Sequence, residues 1–182
     1  LPYRLYEFTY NANNNVTSEI YSYWDTSASS WINSSKYEYT YDANNNVTSE
    51  IYSEWDTSTN SWIFIDKYEY TYDANNNLIT KIEYNWDTNS WMYSSKNQYT
   101  YNANNNLISE IGSNWNTNSW IFSYKNEHTY DANNNVTSGI RSNWDTITNS
   151  WIFSFKYEYT YDTNNNLITE FNYYWDTNTN SW

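Results

Sequence analysis

The residues best equipped for chemistry are the oxygen-bearing side chains of Asp42-Ala43-Asn44-Asn45-Asn46. Asp42, Asn44 and Asn46 stand at the first, third and fifth positions, the spacing that opens an EF-hand-like calcium loop. Asp73, Asn75 and Asn77 repeat the pattern, as do Asp131, Asn133 and Asn135, and Asp162, Asn164 and Asn166. These are calcium candidates by spacing alone. The glycine at position six and the bidentate acid at position twelve are missing, and each loop offers one carboxylate. Two further copies, opened by Asn11 and Asn102, offer none. Turn formation accounts for the same residues, since Asn and Asp tolerate left-handed backbone and bond to their own turn.

Other chemistry is sparser. His128 is the only histidine, and it stands where other copies carry Tyr39, Tyr70, Tyr99 and Tyr159. That pattern reads as drift within a half-buried row rather than as a general base. Catalysis needs unlike residues converging on one spot, and near-identical copies supply the same residues repeatedly. The expectation is therefore a non-enzyme without a cofactor. Exposed aromatic rows suit stacking against sugars, and Tyr21, Tyr23 and Tyr52 are the candidate platforms.

The elements that position these residues follow from a repeat. A Tyr precedes each Asn-rich turn at Tyr10, Tyr41, Tyr72, Tyr101, Tyr130 and Tyr161, at spacings of 31, 31, 29, 29 and 31 residues. Cutting after each second Trp gives units 1–31, 32–62, 63–91, 92–120, 121–151 and 152–182. A fixed period of this size marks a repeat architecture in which each unit packs on its neighbours. The 182 residues therefore read as a single repeat array.

Within a unit, Trp31, Asn33, Ser35, Tyr37, Tyr39 and Tyr41 share one parity, and Ile32, Ser34, Lys36, Glu38 and Thr40 the other. Val47, Ser49, Ile51, Ser53 and Trp55 alternate with Thr48, Glu50, Tyr52 and Glu54. Such period-two alternation predicts strands with one buried and one wet face. The expected unit is an 11-residue strand, a five-residue turn and a nine-residue strand, with Trp and Tyr together on the buried face. Two such strands per unit make about twelve in all.

The Trp-flanked turn alone varies. Six residues separate Trp24 from Trp31, Trp55 from Trp62, Trp144 from Trp151 and Trp175 from Trp182, but four separate Trp86 from Trp91 and Trp115 from Trp120. A change of two preserves the strand faces. The Trp pairs are therefore predicted as cross-strand partners beside a turn. If they set the register, Lys36 faces Glu19, Lys67 faces Glu50, Lys125 faces Glu110 and Lys156 faces Gly139.

The fold class is thus all-β, a tandem array of six β-hairpin units forming an antiparallel meander or spiral strip. The alternative is a two-sheet parallel β-solenoid with one repeat per coil. That arrangement would stack Glu38, Glu69, Glu127 and Glu158 at about 4.8 Å, where like charges repel. The meander is preferred.

Composition agrees. Aromatic residues make up 23% of the chain, against two Gly and one Pro. They override the disorder that a net charge of −13 and a mean hydropathy of −1.01 would otherwise suggest. The acidity opposes nucleic acid and anionic membranes, and no apolar run is long enough for membrane insertion. With no Cys, no disulfide framework holds the chain.

The segment Tyr39-Thr40-Tyr41-Asp42-Ala43-Asn44-Asn45-Asn46-Val47-Thr48-Ser49-Glu50 resembles the YD repeat of Rhs-type and teneurin-like proteins. The resemblance implies antiparallel hairpins joined into a long strip, which in that family often spirals into a hollow shell. Here Asn replaces the usual turn Gly, and each unit adds a Trp-turn-Trp hairpin. This Asn-rich, Trp-hairpin variant looks like arrays in surface proteins of Bacteroidetes-type bacteria, which implies an extracellular or cell-surface bacterial location. Asp25-Thr26-Ser27, Asp56-Thr57-Ser58 and Asp145-Thr146-Ile147 resemble the O-glycosylation acceptor of such bacteria. That makes Thr26, Thr57, Thr88, Thr146 and Thr177 candidates, with plain turn chemistry as the competing reading.

A one-layer sheet with an aromatic face must close on itself or pack against another copy, because burying each ring is worth roughly 2–3 kcal/mol. The chain opens in mid-pattern and stops on Trp182, so the expectation is a window of a longer array or a subunit adding end to end. The functional expectation is an extracellular filament, stalk or surface fibre formed by self-association. The alternatives are a glycan-binding adhesin and a segment of a toxin-enclosing Rhs-like shell.

Overall fold

The computed structural model describes residues 3–182. Leu1 and Pro2, and the expectation about how the chain opens, lie outside them. The strands are β1 (Arg4–Tyr10), β2 (Val16–Asp25), β3 (Ser30–Tyr41), β4 (Val47–Asp56), β5 (Ser61–Tyr72), β6 (Leu78–Asp87), β7 (Ser90–Tyr101), β8 (Leu107–Asn116), β9 (Ser119–Tyr130), β10 (Val136–Asp145), β11 (Ser150–Tyr161) and β12 (Leu167–Tyr174). They follow one another in sheet order, so the meander is correct and the parallel solenoid is not. The chain divides into two compact units, Leu1–Ser94 and Ser95–Trp182.

Both units are built from one hairpin plan. Trp24 pairs with Trp31 and Trp55 with Trp62 in the first unit. Trp115 pairs with Trp120 and Trp144 with Trp151 in the second. The longer and shorter Trp turns therefore close the same register, as an even change in loop length requires. The indoles meet edge to face, with centroids 5.4 Å apart for Trp24 and Trp31, 4.9 Å for Trp86 and Trp91 and 5.2 Å for Trp175 and Trp182. This is the arrangement aromatic quadrupoles favour.

Each hairpin plan also carries two β-bulges, and these overturn the expected aromatic face. Tyr41 pairs with Val47 but Thr40 with Ser49, leaving Thr48 extra. The same residue is extra in the first unit at Thr17 and Ile79 and in the second at Ile108, Thr137 and Ile168. The other bulge lies near the start of the long strand. Tyr21 pairs with Ser35 but Ser22 with Asn33, leaving Ser34 extra. Ile65, Ser123 and Ser154 are its equivalents.

An extra residue reverses the parity beyond it. Directly paired side chains share a face, so Trp24, Ser22 and Ile20 lie with Trp31, Asn33 and Lys36. Tyr37 and Tyr39 fall on the opposite face with Glu19, Tyr21, Glu50 and Tyr52. Tyr41 and Val47 join them there, since Val47 lies before the second bulge. The rings are thus divided between a tryptophan face and a tyrosine face, not gathered on one.

The predicted Lys–Glu cross-strand pairs fail for the same reason. Lys36 stands opposite Ile20, Lys67 opposite Ile51, Lys125 opposite Ile111 and Lys156 opposite Ile140. Each Lys pairs instead with the Glu two residues on in its own strand. Lys36 to Glu38 is 2.8 Å, and Lys125 to Glu127 and Lys156 to Glu158 are 2.7 Å. The ammonium groups also lie over indoles of the following hairpin, 5.4 Å from Trp62 for Lys36 and 5.6 Å from Trp151 for Lys125.

No apolar side chain among the described residues is buried. The positions sealed from water are small ones lying under rings. Ser53, Ser113 and Ser142 pair directly with Phe64, Phe122 and Phe153. Phe64 in turn packs 5.0 Å from Trp86 and 5.5 Å from Trp91. Phe122 meets Trp144 and Trp151 in the same way, and Phe153 meets Trp175 and Trp182. A small residue opposite the Phe leaves room for its ring to lie across the ladder.

Ser22 donates its hydroxyl to Asn33, which replaces the Phe. The Ser53 and Ser142 hydroxyls are buried without a partner. A buried unpaired hydroxyl carries a desolvation cost of about 1–3 kcal/mol. Ser53→Ala is therefore expected to stabilise the chain by about 1 kcal/mol, read as a higher urea midpoint at unchanged slope; a lower midpoint refutes this account.

Candidate functional site

The six Asn-rich turns share one construction. Asp42 accepts the Asn44 and Asn46 backbone N–H groups on Oδ1 at 2.8 and 2.9 Å, and the Asn46 side-chain amide on Oδ2 at 3.0 Å. Asp73, Asp131 and Asp162 repeat the Oδ1 pair. Asn11 and Asn102 accept the same two backbone bonds on their amide oxygens. Both carboxylate oxygens of Asp42 are therefore engaged within the loop, and an uncharged residue can replace it. At the calcium candidates, Asn46 directs its amide nitrogen at Asp42 Oδ2. Asp73, Asn75 and Asn77 repeat the backbone contacts. No group of three His, Cys, Asp or Glu that could hold a metal assembles among the described residues.

The fourth residue of each turn holds positive φ, 61° at Asn14, 67° at Asn45, 65° at Asn76, 62° at Asn105, 66° at Asn134 and 64° at Asn165. Glycine would adopt this backbone more easily, but its side chain would be absent. Asn45 Oδ1 accepts the Asn13 and Asn15 amides at 3.0 and 2.8 Å, bridging neighbouring repeats. Asn76 takes Asn46 at 2.9 Å. In the second unit Asn134 takes Asn104 and Asn106, and Asn165 takes Asn133 and Asn135.

The repeated Tyr before the turn makes a second bridge. Tyr41 donates its hydroxyl to the Val16 carbonyl at 2.6 Å, on the adjacent strand of the preceding repeat, and Tyr72 to that of Val47 at 2.9 Å. In the second unit Tyr130 reaches Leu107 at 2.7 Å and Tyr161 reaches Val136 at 3.0 Å. The sequence displayed these Tyr residues, but not their partners, because the bond joins residues 23 to 25 positions apart.

In the Trp turns, Asp56 accepts the Ser58 backbone and hydroxyl and the Thr59 hydroxyl. These bonds pull its carboxyl down to about 2. Asp145 holds Ile147 and Thr148 likewise, and Asp176 holds Asn178 and Thr179. The O-glycosylation candidates Thr26, Thr57, Thr88, Thr146 and Thr177 all stand exposed in these turns. Thr88 holds a positive φ of 43°, unusual for a β-branched residue.

The tyrosine face is where unlike residues meet. Tyr21 donates to Glu19, Tyr52 to Glu54 and Tyr70 to Glu50. The bond to Glu19 is the main cause that raises the Tyr21 hydroxyl to about 12, whereas burial is the main cause for Tyr52, also about 12. In the second unit Glu110 accepts Tyr124, Asn97 and Asn126 at 2.7, 2.8 and 3.0 Å. His128 lies 2.9 Å from the Tyr157 hydroxyl, and burial lowers its pKa.

Gly112 and Gly139 lie directly opposite Tyr124 and Tyr157, and a β-carbon at either would collide with that ring. The signal for these sites was the two lone glycines, each inside a strand. Tyr21, Tyr23 and Tyr52 share a face with Tyr37 and Tyr39, not the opposite one the parity implied. An open groove of about 400 Å³ is lined by Arg4, Leu5, Tyr6, Tyr21, Ser22, Tyr23, Ser34 and Ser35.

No protein-family model matches the chain, and no curated protein matches it. Among solved structures, a DUF3836 family protein from Bacteroides vulgatus is similar over 50% of this chain and 91% of its own, at 24% identity and a TM-score of 0.43. A DUF3836 family protein from Parabacteroides distasonis is similar over 50% and 87%, at 19% identity and a TM-score of 0.39. The Photorhabdus luminescens Tc holotoxin pore is similar over 92% of this chain and 10% of its own, at 12% identity and a TM-score of 0.47. The fold rests on the strand pairing, not on these likenesses.

Two outcomes are expected. Asn45→Gly should keep the turn but lose the bridge, and Asn45→Ala should lose the bridge and strain the backbone. Thermal unfolding should therefore rank wild type above Gly above Ala, each step about 1 kcal/mol; Ala equal to Gly would remove the strain term. Hydrogen bonds hold Asp42, Asp73, Asp131 and Asp162 below the ordinary carboxylate range. A depressed folded-state pKa stabilises above the unfolded value, and that stabilisation is lost as pH falls through the folded one. The unfolding midpoint should accordingly hold at neutral pH and fall once the pH drops below about 4, the unfolded carboxylate value.

Proposed function

We propose that this chain is an extracellular or cell-surface structural repeat protein that builds a filament, stalk or surface fibre by self-association. The observation that carries this reading is recurrence. The tyrosine hydroxyl bridge and the asparagine bridge return from repeat to repeat in both units. Side chains spent on joining neighbours serve a scaffold better than a ligand pocket. Apolar side chains on both faces are left part-exposed, with Tyr23 at 45%, Ile63 at 40% and Phe153 at 42%. Apolar surface of this kind supports association with other copies. Hairpins that carry a Tyr before the turn are the feature expected of YD-repeat arrays, and an Rhs-like shell segment would use the same scaffold. No helix of the described residues is long and apolar enough to cross a membrane.

A second reading is favoured by the groove lined by Arg4, Tyr6, Tyr21 and Tyr23, where tyrosine rings and a guanidinium suit a glycan. Negative-stain microscopy with sedimentation velocity separates the two. Fibres and mass that grows with concentration are expected. Chains that stay monomeric at every concentration, and whose tyrosine and tryptophan fluorescence shifts on adding glycans, would replace the fibre reading with the adhesin.

A further inference from the structure

Each contact between repeats has a donor half and an acceptor half, and the two edge strands each hold one half. Tyr41 donates to the Val16 carbonyl; Tyr10 occupies the equivalent donor position on β1, with its ring 58% exposed. Leu167 occupies the position of Val16 at the start of β12 and is 53% exposed. Asn45 accepts amides from Asn13 and Asn15; Asn14 is its counterpart beside β1. Asn164 and Asn166 are the counterparts of the donors beside β12, where Asn166 bonds only its own turn at Asp162. The donor positions at one edge answer the acceptor positions at the other.

We infer that a second copy of this chain adds its β1 to β12 of the first, antiparallel and head to tail. The inference rests on the structural-array reading above and names its interface. The register follows from β2 and β3, where Ser18 pairs with Glu38, Glu19 with Tyr37, Ile20 with Lys36 and Tyr21 with Ser35. Shifted along the repeat, Thr169 meets the second copy's Glu7, Glu170 meets Tyr6, Phe171 meets Leu5 and Asn172 meets Arg4. Tyr6 opposite Glu170 reproduces the Tyr37 and Glu19 pair. Leu5 and Phe171 meet on the tryptophan face, covering a Phe171 ring that is otherwise 52% exposed.

The second copy's Tyr10 hydroxyl then reaches the Leu167 carbonyl, and its Asn14 oxygen takes the Asn164 and Asn166 amides. The occupant is argued from complementarity: strand length, register, hydroxyl donor and amide acceptor are all supplied by this chain's own opposite edge. Because the two surfaces differ, the contact is heterologous, and it extends unless its rotation closes a ring.

The test uses the 182-residue chain and charged edge variants. In sedimentation velocity, wild type should form species larger than a monomer that grow with concentration. Leu5→Glu or Phe171→Lys alone should abolish them, with far-ultraviolet circular dichroism unchanged. The double variant Leu5→Glu/Phe171→Lys should restore association through Glu opposite Lys, which a folding defect could not do. Tyr10→Phe, which removes only a hydroxyl, should weaken association about fivefold, the equivalent of one neutral hydrogen bond. A monomeric wild type overturns both this inference and the fibre reading. Association that survives Leu5→Glu and Phe171→Lys overturns this inference alone and assigns the contact to the aromatic faces.

Discussion

Because a single layer of strands has no interior, each repeat must be held by groups that reach past its own hairpin. Two side chains do this in every described bridge. The tyrosine before the turn carries its hydroxyl to a backbone carbonyl on the adjacent strand of the preceding repeat, and the asparagine at the turn's tip receives amides from the preceding tip. Each such bond is worth only about 1 kcal/mol net, but it recurs. The Trp–Trp–Phe contacts on the tryptophan face add packing beyond the hairpin in the same sense. Stability of this kind is a sum over neighbours, the behaviour expected of a quasi-one-dimensional array.

The bulges decide what each face is made of. They set the tryptophans on the face opposite Tyr37, Tyr39 and Tyr41 while leaving the backbone ladder nearly continuous. The tryptophan face pairs Lys36 and Lys125 each with a Glu in its own strand and sets each over an indole. The tyrosine face gathers acids and hydroxyls, with Glu19, Glu50, Glu54 and Glu110 bound by tyrosines. One surface is aromatic with internally balanced charge, and the other is acidic and rich in hydroxyls. Small residues appear where a ring must lie flat: serine beneath phenylalanine, glycine opposite tyrosine.

The turn chemistry shows how one residue type serves local structure. An Asp with two Asn at alternate positions reads as a metal loop because oxygen atoms are counted along the chain. In space the carboxylate turns inward to cap backbone N–H groups, and an amide oxygen does so equally well at Asn11 and Asn102. The preference for Asn over Gly at positive φ follows from the bridge, since the backbone alone would favour glycine.

Much was legible from residues alone. The six units, the strands on either side of each Asn turn and the pairing of Trp24 with Trp31 or Trp115 with Trp120 follow from period-two alternation and loop arithmetic, which are local. The assignment of faces was not legible. A bulge at Ser34 or Thr48 inserts a residue without disturbing the apolar pattern, so parity counted along the chain carried Tyr37 to the wrong side and set Lys36 opposite Glu19. Bulges are settled by the partner strand, through its carbonyls and the rings it presents. The partners of Tyr41, Asn45 and Gly139 were hidden for the same reason: each contact joins residues distant along the chain and adjacent only once the strands have paired.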